Sequence, residues 1–189
     1  MNYVEVQAQV AQWMNRSDLT DMIPDFIALT EERMNRDLRT RSMETNLTET
    51  AIVDGAITPA SDVLDVKLIW PTGSDSNPIK AQSLEAVVAS DDSATPTVYA
   101  WRGSDLVFDG GGSVEGVLYT RIPALATAAT NWVSQNAASL YLFGALAEAK
   151  LYVGDDAGAQ TWIARFLDGV DQLNGNDNRK AGPLVARAR

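Results

Sequence analysis

The 189-residue chain contains no cysteine and no histidine. Without cysteine there are no disulfides, thiolate nucleophiles or cysteine-ligated zinc sites. Without histidine the chain lacks the side chain that most often moves protons near neutral pH. The composition therefore argues against an enzyme, and we predict no catalytic residues, no cofactor and no metal site.

Long apolar segments are missing as well. The longest apolar stretch, residues 140–147, is far shorter than the roughly 20 residues that cross a bilayer. The first five residues, Met-Asn-Tyr-Val-Glu, show neither the basic start nor the apolar core of an export signal. We therefore expect no membrane partner, and synthesis in the cytoplasm.

Basic residues are few: 15 lysines and arginines stand against 25 carboxylates, for a net charge of −10. An acidic body does not clamp nucleic acid, whose phosphates repel it. The C-terminal residues differ, because 179–189 include Arg179, Lys180, Arg187 and Arg189 and no acidic residue. This basic tail is predicted to dock on another acidic surface.

Hydrophobic residues make up 46% of the chain, enough for a folded core. At the N-terminal end, Val6, Val10 and Trp13 or Met14 recur at helical spacing, which predicts a short amphipathic helix over Tyr3–Met14. A second helix is predicted from about residue 20 to 41, with an apolar stripe and an opposite face of charged residues that includes Glu31.

The centre of the chain reads as β structure. Alternating apolar residues from position 45, a run at 63–70, and three segments at 97–101, 105–109 and 114–121 predict roughly five antiparallel strands, the last three as a meander. Residues 83–89 are predicted to form a helical turn capped by Ser83.

Helical periodicity returns near position 131. One long helix is predicted to about Val153, and Gly154 separates it from a last helix that ends at residues 175–178. The predicted fold class is α+β: N- and C-terminal helix pairs form a helical bundle, with a small antiparallel β lobe inserted. The predicted domains are 1–44 with 131–178 for the bundle, 45–130 for the β-rich insertion and 179–189 for an extended C-terminal tail.

Two sequence features are candidate sites. The run Gly110, Gly111 and Gly112 lacks the Lys-Ser/Thr and the helix that follow a phosphate loop, so we predict a hairpin tip that acts as a contact loop. The series Arg33, Arg36, Arg39 and Arg41 is interrupted by acids and lacks aromatic residues that stack on bases. We therefore predict a salt-bridged subunit interface there.

The tryptophans and the aspartates were weighed in the same way. Trp13, Trp132 and Trp162 fall on apolar helical faces and are predicted to lie in the core, whereas Trp70 and Trp101 are placed at strand ends, either in the core or at a rim. The aspartates of the β region form neither an acid pair nor a calcium-loop pattern, so they are interpreted as solvated.

Two helical blocks resemble a known family. The first is Ile-Pro-Asp-Phe-Ile-Ala-Leu at 23–29 with Asn-Arg-Asp-Leu-Arg-Thr-Arg-Ser-Met-Glu at 35–44, and the second is Leu-Tyr-Leu-Phe-Gly-Ala-Leu-Ala-Glu at 140–148, with Trp162 further on. These segments resemble the head-to-tail adaptor, or connector, proteins of podovirus-like phages. The β insertion resembles no family that we recognise.

The resemblance implies a structural virion protein, made in the host cytoplasm and located in the virion neck. Such adaptors form a ring, usually of twelve copies, below the portal; the ring extends the DNA channel, touches the DNA passively and carries a nozzle or tail protein. It also implies that the C-terminal tail binds the portal, a role that would fall here on Gly182, Pro183, Leu184, Val185, Arg187 and Arg189.

Other functions remain open at this point. A head-completion stopper or a tail-terminator protein is the nearest alternative, although those proteins tend to be smaller and mostly β. A carboxylate-dependent cell-wall hydrolase in the β lobe is the alternative from another class, and a soluble binding module is a third.

Overall fold

The protein is described from a computed structural model that covers residues 1–74, 77–90 and 94–180, with 178–180 in their backbone only. The chain divides into two compact units, and each is described by itself. The helical unit comprises Met1–Ser42 and the chain from Ile122 onward, and the β unit comprises Met43–Arg121. Helices and antiparallel sheets together confirm the predicted α+β class.

The elements are numbered along the chain. In the described residues the α-helices are α1 Tyr3–Met14, α2 Ile23–Asp37, α3 Leu84–Ala89, α4 Leu125–Ala128, α5 Trp132–Asn136, α6 Ser139–Tyr152 and α7 Asp156–Lys180. The strands are β1 Glu44–Ala51, β2 Ala56–Ile57, β3 Val63–Pro71, β4 Lys80–Ala81, β5 Val98–Arg102, β6 Asp105–Phe108 and β7 Ser113–Thr120. Short 3₁₀ turns lie at Ser17–Met22 and Arg41–Met43.

Helix α1 begins at a capping box and ends at a left-handed residue. The Asn2 side chain accepts from the Glu5 N–H, and the Glu5 carboxylate accepts from the Asn2 N–H, each at 2.9 Å. Val6 and Val10 are buried, as their spacing predicted. Asn15, with φ of 50°, ends the helix in the left-handed region that asparagine tolerates better than most residues.

Helix α2 is shorter than the expected span of 20–41. It follows the first 3₁₀ turn, with Pro24 in its first turn, and it ends at Asp37. The Arg39 guanidinium donates to the carbonyls of Asn35 at 2.9 Å and Leu38 at 2.7 Å. Because these C-terminal carbonyls obtain their partners from a side chain, the helix can end four residues early.

Helix α6 is the centre of the helical unit and contacts α1, α2 and α7. Most of its residues are buried on every side, as expected for a helix surrounded by others. Thr30 of α2 approaches Gly144 so closely that a Cβ at 144 would lie 2.8 Å from the Thr30 hydroxyl oxygen. Gly144 therefore sets how closely α2 and α6 pack.

The single helix expected from residue 131 to 153 is two helices. The chain leaves helical geometry at Ala137, between α5 and α6. Asn131 caps α5, and its amide also donates to the Pro123 carbonyl at 2.8 Å and the Tyr141 hydroxyl at 2.6 Å. One buried side chain thus holds the turn against α6.

Helix α7 continues to Lys180, past the stop expected at 175–178, so Arg179 and Lys180 belong to the helix rather than to an extended tail. Two side chains near its end hold the segment that leaves α2. Asn174 accepts from the Arg39 N–H and donates to the Asp37 carbonyl, both at 3.1 Å, and Asp177 accepts from the Arg41 N–H at 2.9 Å. Tertiary contacts here override the weak helix propensity of glycine and asparagine.

The segment that returns from the β unit joins the helical unit earlier than the expected boundary at 131. Asn35 of α2 accepts from the Ile122 N–H at 2.8 Å, and Glu31 accepts from the Leu125 N–H at 2.8 Å. The boundary therefore falls at residue 122, because side chains of α2 supply the hydrogen bonds that this irregular stretch needs.

The β unit contains two sheets rather than one five-stranded sheet or barrel. Strand order is β1-β7-β3 in the first and β2-β6-β5-β4 in the second, and all pairs are antiparallel except β4 with β5. Only β5 and β6 of the expected meander are neighbours, because β7 pairs between β1 and β3 instead. The expected helical turn after Ser83 is confirmed as α3.

Alternating residues of the second sheet face two cores. Residues from both sheets form one apolar cluster: Ile57, Ile69, Ile79, Tyr99, Leu106, Phe108 and Val114. The intervening residues Val98, Ala100 and Val107 pack instead with Val87 of α3. Both faces of the second sheet are thus covered, as the two-residue period of a strand allows.

Asp109 holds the start of β5 in place. It is 5% exposed, and it accepts from the Thr97 hydroxyl at 2.6 Å and from the N–H groups of Thr97 and Val98 at 2.8 and 3.0 Å. Burial alone would raise the pKa of Asp109, but these hydrogen bonds outweigh it and hold the pKa below its usual range.

We predict that Asp109→Ala destabilises the β unit by about 1–3 kcal/mol, because buried donors lose their acceptor. Since the folded pKa is depressed, the stabilisation by Asp109 is present above the unfolded pKa and is lost as pH falls through the folded pKa. Urea unfolding with hydrogen exchange of peptides spanning 97–109 checks this. The exposed Asp62→Asn is the control, and an equal effect at both sites would contradict the prediction.

Candidate interaction surfaces

The four arginines predicted as a subunit interface differ in their surroundings. Arg33 pairs with Glu148 of α6 at 2.6 Å, and Arg41 lies 3.8 Å from Asp177 of α7. Arg39 caps the end of α2, as described above. Arg36 is 3.5 Å from Asp37, and 68% of its side chain is exposed. Arg33 and Arg41 thus join elements within the helical unit, and Arg39 caps the end of α2. Arg36 is more exposed than Arg41, of whose side chain 43% is exposed.

The glycine run at 110–112 connects the two sheets and is not the hairpin tip that was expected. It joins β6 of the second sheet to β7 of the first. Gly112 has φ of +102°, a value that favours glycine, and its carbonyl accepts from the Ile52 N–H at 2.8 Å. Gly111 and Gly112 are exposed, and nothing lies within 4 Å of a Cβ built at either. The loop is therefore open to a partner.

The predicted portal-binding residues, Gly182, Pro183, Leu184, Val185, Arg187 and Arg189, lie outside the described residues. The helix that leads to them is described. Its last turns are anchored to the segment 37–41 through Asn174 and Asp177.

A surface that the sequence analysis missed lies at the C-terminal end of α1. Trp13, expected in the core, is 53% exposed. Its ring meets the edge of Trp162 at 5.9 Å between centroids, and Trp162 stacks on Phe143 at 5.8 Å. The Arg165 guanidinium lies 5.0 Å from the centre of the Trp162 ring. The missed signal was the low charge of α1, in which Glu5 is the one ionisable acid or base other than Tyr3.

This aromatic group borders a cavity of about 410 Å³ formed by α1, α6 and α7 together with the turn after α1. Most of the lining is apolar, with Met14, Leu19, Leu146, Val153 and Trp162 among its residues. Arg16 and Lys150 also line it, but each is paired with a carboxylate of its own chain, Asp18 at 2.5 Å and Asp155 at 2.8 Å. The cavity therefore suits an apolar group.

The helical unit also contains buried ionisable groups. One of them is Glu31, and the prediction that it lies on the charged face of α2 is wrong. Glu31 is 8% exposed, and its Oε1 accepts from the Tyr141 hydroxyl at 3.1 Å as well as from Leu125. Burial raises the pKa of Glu31, and burial also raises that of Tyr141. This group is enclosed among the helices, so we interpret it as structural.

Two kinds of site are absent from the part of the chain that the structure describes. Residues 1–74, 77–90 and 94–180 contain no group of three acidic side chains arranged to hold a metal ion. No helix in the same part of the chain combines the length and the apolar character that a bilayer crossing requires.

Comparison with known families gives a match over nearly the whole chain. The sequence model of a family described as SU10 adaptor protein matches residues 1–187. The match spans both helical blocks and the β unit, and it confirms the resemblance predicted from the blocks alone. No curated protein matches the chain.

Proposed function

This chain belongs to the SU10 adaptor protein family, and we propose on that basis that it forms a ring below the portal of a phage head. It is a phage adaptor protein and a structural component of the virion. In the proposed arrangement about twelve copies surround and extend the DNA channel in the virion neck. The observation that carries this proposal is the family match over nearly the whole chain.

The charge of the chain supports a channel role. A net charge of −10 gives a wall that repels the phosphate backbone weakly, so DNA can pass without being held. We propose that contact with DNA is passive and that no cofactor or catalytic step is involved. The exposed Gly111–Gly112 loop is proposed as a contact with a downstream tail or nozzle protein.

The arginine series of α2 remains a proposed subunit interface. Arg33 and Arg41 pair with acids of other helices, and Arg39 caps α2. The proposal now relies mainly on Arg36, which pairs with the adjacent Asp37 and has 68% of its side chain exposed. A guanidinium there can pair with a neighbour's carboxylate in a bidentate manner. The other three are proposed to hold the interface in shape.

The C-terminal tail is proposed to bind the portal. It carries Arg187 and Arg189 on a chain with a net charge of −10, and these cations can pair with acidic groups of a partner.

We predict that deleting residues 183–189 abolishes binding to portal-bearing capsids, with at least a tenfold loss, while the protein stays folded. Co-sedimentation with capsids measures binding, and circular dichroism with thermal melting measures the fold. A full-length variant with the order of residues 183–189 scrambled controls for length and composition, and it is expected to fail as well. Normal binding by the truncated chain would disprove the role of the tail.

A further inference from the structure

The outer face of α1 carries almost no charge. Its exposed residues are Val4, Glu5, Ala8, Gln9, Gln12 and Trp13. Glu5 is the one charged residue among them, and its carboxylate already closes the capping box with Asn2. Val4 is 69% exposed, and Trp13 is 53% exposed. We call these six residues the neutral face, in which Glu5 is the single charged residue.

The neutral face continues into the apolar cavity beside Trp13. The two cations of that cavity, Arg16 and Lys150, are neutralised by Asp18 and Asp155. Glu5 thus brings the single charge of the face, and both cations that line the cavity are paired. Arg165 lies over the ring of Trp162 at the border of the cavity. A charged group of a partner would gain little binding free energy at the face or in the cavity. An apolar side chain that binds at either place would be removed from water, which is favourable.

Trp13 is held in a defined position rather than extending freely. Its edge contact with Trp162, which itself stacks on Phe143, forms a short aromatic series across α1, α7 and α6. An exposed tryptophan that is already ordered loses little entropy when it is covered, which is the property of an interface anchor.

We propose that the neutral face and its cavity are covered by a second copy of this chain. The inference rests on the proposed ring and names the surface through which its copies meet. Copies that each carry a charge of −10 repel one another, and the repulsion is smallest where each brings little charge to the contact. Interface cores are depleted of charged residues and enriched in tryptophan and methionine, and both features occur here.

A ring requires that two different patches of neighbouring copies meet. The neutral face supplies one patch, with a cavity that accepts an apolar side chain from the next copy. The side of α2 that carries Arg36 is charged and polar, and this contact does not need it. The proposal therefore stands independently of the arginine series.

The experiment uses the absence of cysteine, since single cysteines can be introduced and labelled without background. Gln12→Cys, labelled with a benzophenone maleimide, is loaded on portal-bearing capsids and photolysed, and Val88→Cys is the matched control because Val88 is 62% exposed in the β unit. We expect an adaptor–adaptor product at least tenfold more abundant from position 12. An adaptor–portal product, or none from loaded protein, would overturn the proposal.

Trp13→Glu tests the same surface without a label. We expect at least a tenfold loss of loaded copies per capsid, with an unchanged melting temperature and with Val88→Glu loading normally. Gln12→Glu repeats the test without altering Trp13, in case the first variant folds poorly. Normal loading of both variants would refute the surface.

Failure of the proposed function gives a different result. In that case the unaltered chain does not load on capsids at all. The labelled Gln12→Cys protein is then photolysed alone at high concentration. An adaptor–adaptor product would support self-association through the neutral face, and exclusively monomeric protein would reject it.

Discussion

Gly144→Ala is expected to destabilise the helical unit by about 2–3 kcal/mol, the range for overpacking a tight core. A methyl group at 144 would lie 2.8 Å from the hydroxyl oxygen and 3.0 Å from the Cβ of Thr30, and closer still to its methyl group. Thr30 cannot easily move, because it is fully buried and its hydroxyl donates to the Phe26 carbonyl at 2.7 Å. Helices α2 and α6 would have to separate.

Gly175→Ala is the matched control, since Gly175 also lies within a helix but has nothing within 4 Å of a Cβ. There the alanine should stabilise by roughly 0.5–1 kcal/mol, the difference in helix propensity. Urea unfolding followed by circular dichroism gives both values from the midpoint and slope. Equal effects of the two substitutions would show that packing at Gly144 is not the cause.

Thr30→Ala offers a second check on the same contact. Removal of the methyl and hydroxyl of Thr30 leaves only its Cβ near position 144. The double variant with Gly144→Ala should therefore be less destabilised than the sum of the two single variants. Simple additivity in this cycle would mean that the two side chains do not meet.

Glu31→Ala is expected to cost about 2–4 kcal/mol, because two buried donors, the Leu125 N–H and the Tyr141 hydroxyl, lose their acceptor at once. Glu31→Gln should cost less, since its carbonyl oxygen can still accept. Both hydrogen bonds join α2 to segments about a hundred residues later in the chain, so the loss should weaken the whole helical unit. Urea unfolding of the three proteins at pH 7 compares them.

The pH dependence of Glu31 has a definite sign. Burial raises its pKa, so the folded state holds this proton more tightly than the unfolded state does. The folded state is therefore favoured most below the unfolded pKa, and this contribution declines as pH rises through the folded pKa. On acidification, the free energy of unfolding of the wild type should therefore rise relative to that of Glu31→Gln. The opposite trend would mean that Glu31 is stabilised in its charged form.

Asp109 should behave in the opposite way, because its pKa is depressed rather than raised. Acidification should thus remove the stabilisation that Asp109 gives to the β unit. In the helical unit it should favour the folded state, through the raised pKa of Glu31. Hydrogen exchange resolves the two, since peptides from α2 and α6 report on one and peptides from β5 and β6 on the other.

Local patterns predicted the helices well, and long-range contacts decided where the predictions failed. The stripe through Phe26 and Ile27 identified α2, but it could not reveal that Glu31, on the edge of that stripe, is covered by a segment from residues 122–131. The hydrogen bond to Leu125 joins residues 94 positions apart. No local period contains that information.

The β unit and the interaction surfaces show the same limit. Strand positions were predicted, but the pairing of β7 with β1 and β3 depends on partners that lie far along the chain. Helical spacing placed Trp13 near the core, although Val6 and Val10 already fill the inner side of α1. Counting the charges on the outer side would have been the better guide.

The insertion of the β unit at residues 43–121 has a consequence for biosynthesis. Helices α1 and α2 leave the ribosome first, but their main partner, α6, is made only after the whole insertion. Closing so long a loop is slow, and until then Phe26, Ile27 and Met34 lack their native cover. An insertion that folds early would bring residues 42 and 122 together and shorten the search. We therefore expect that variants slow to fold the β unit aggregate through α2 during synthesis.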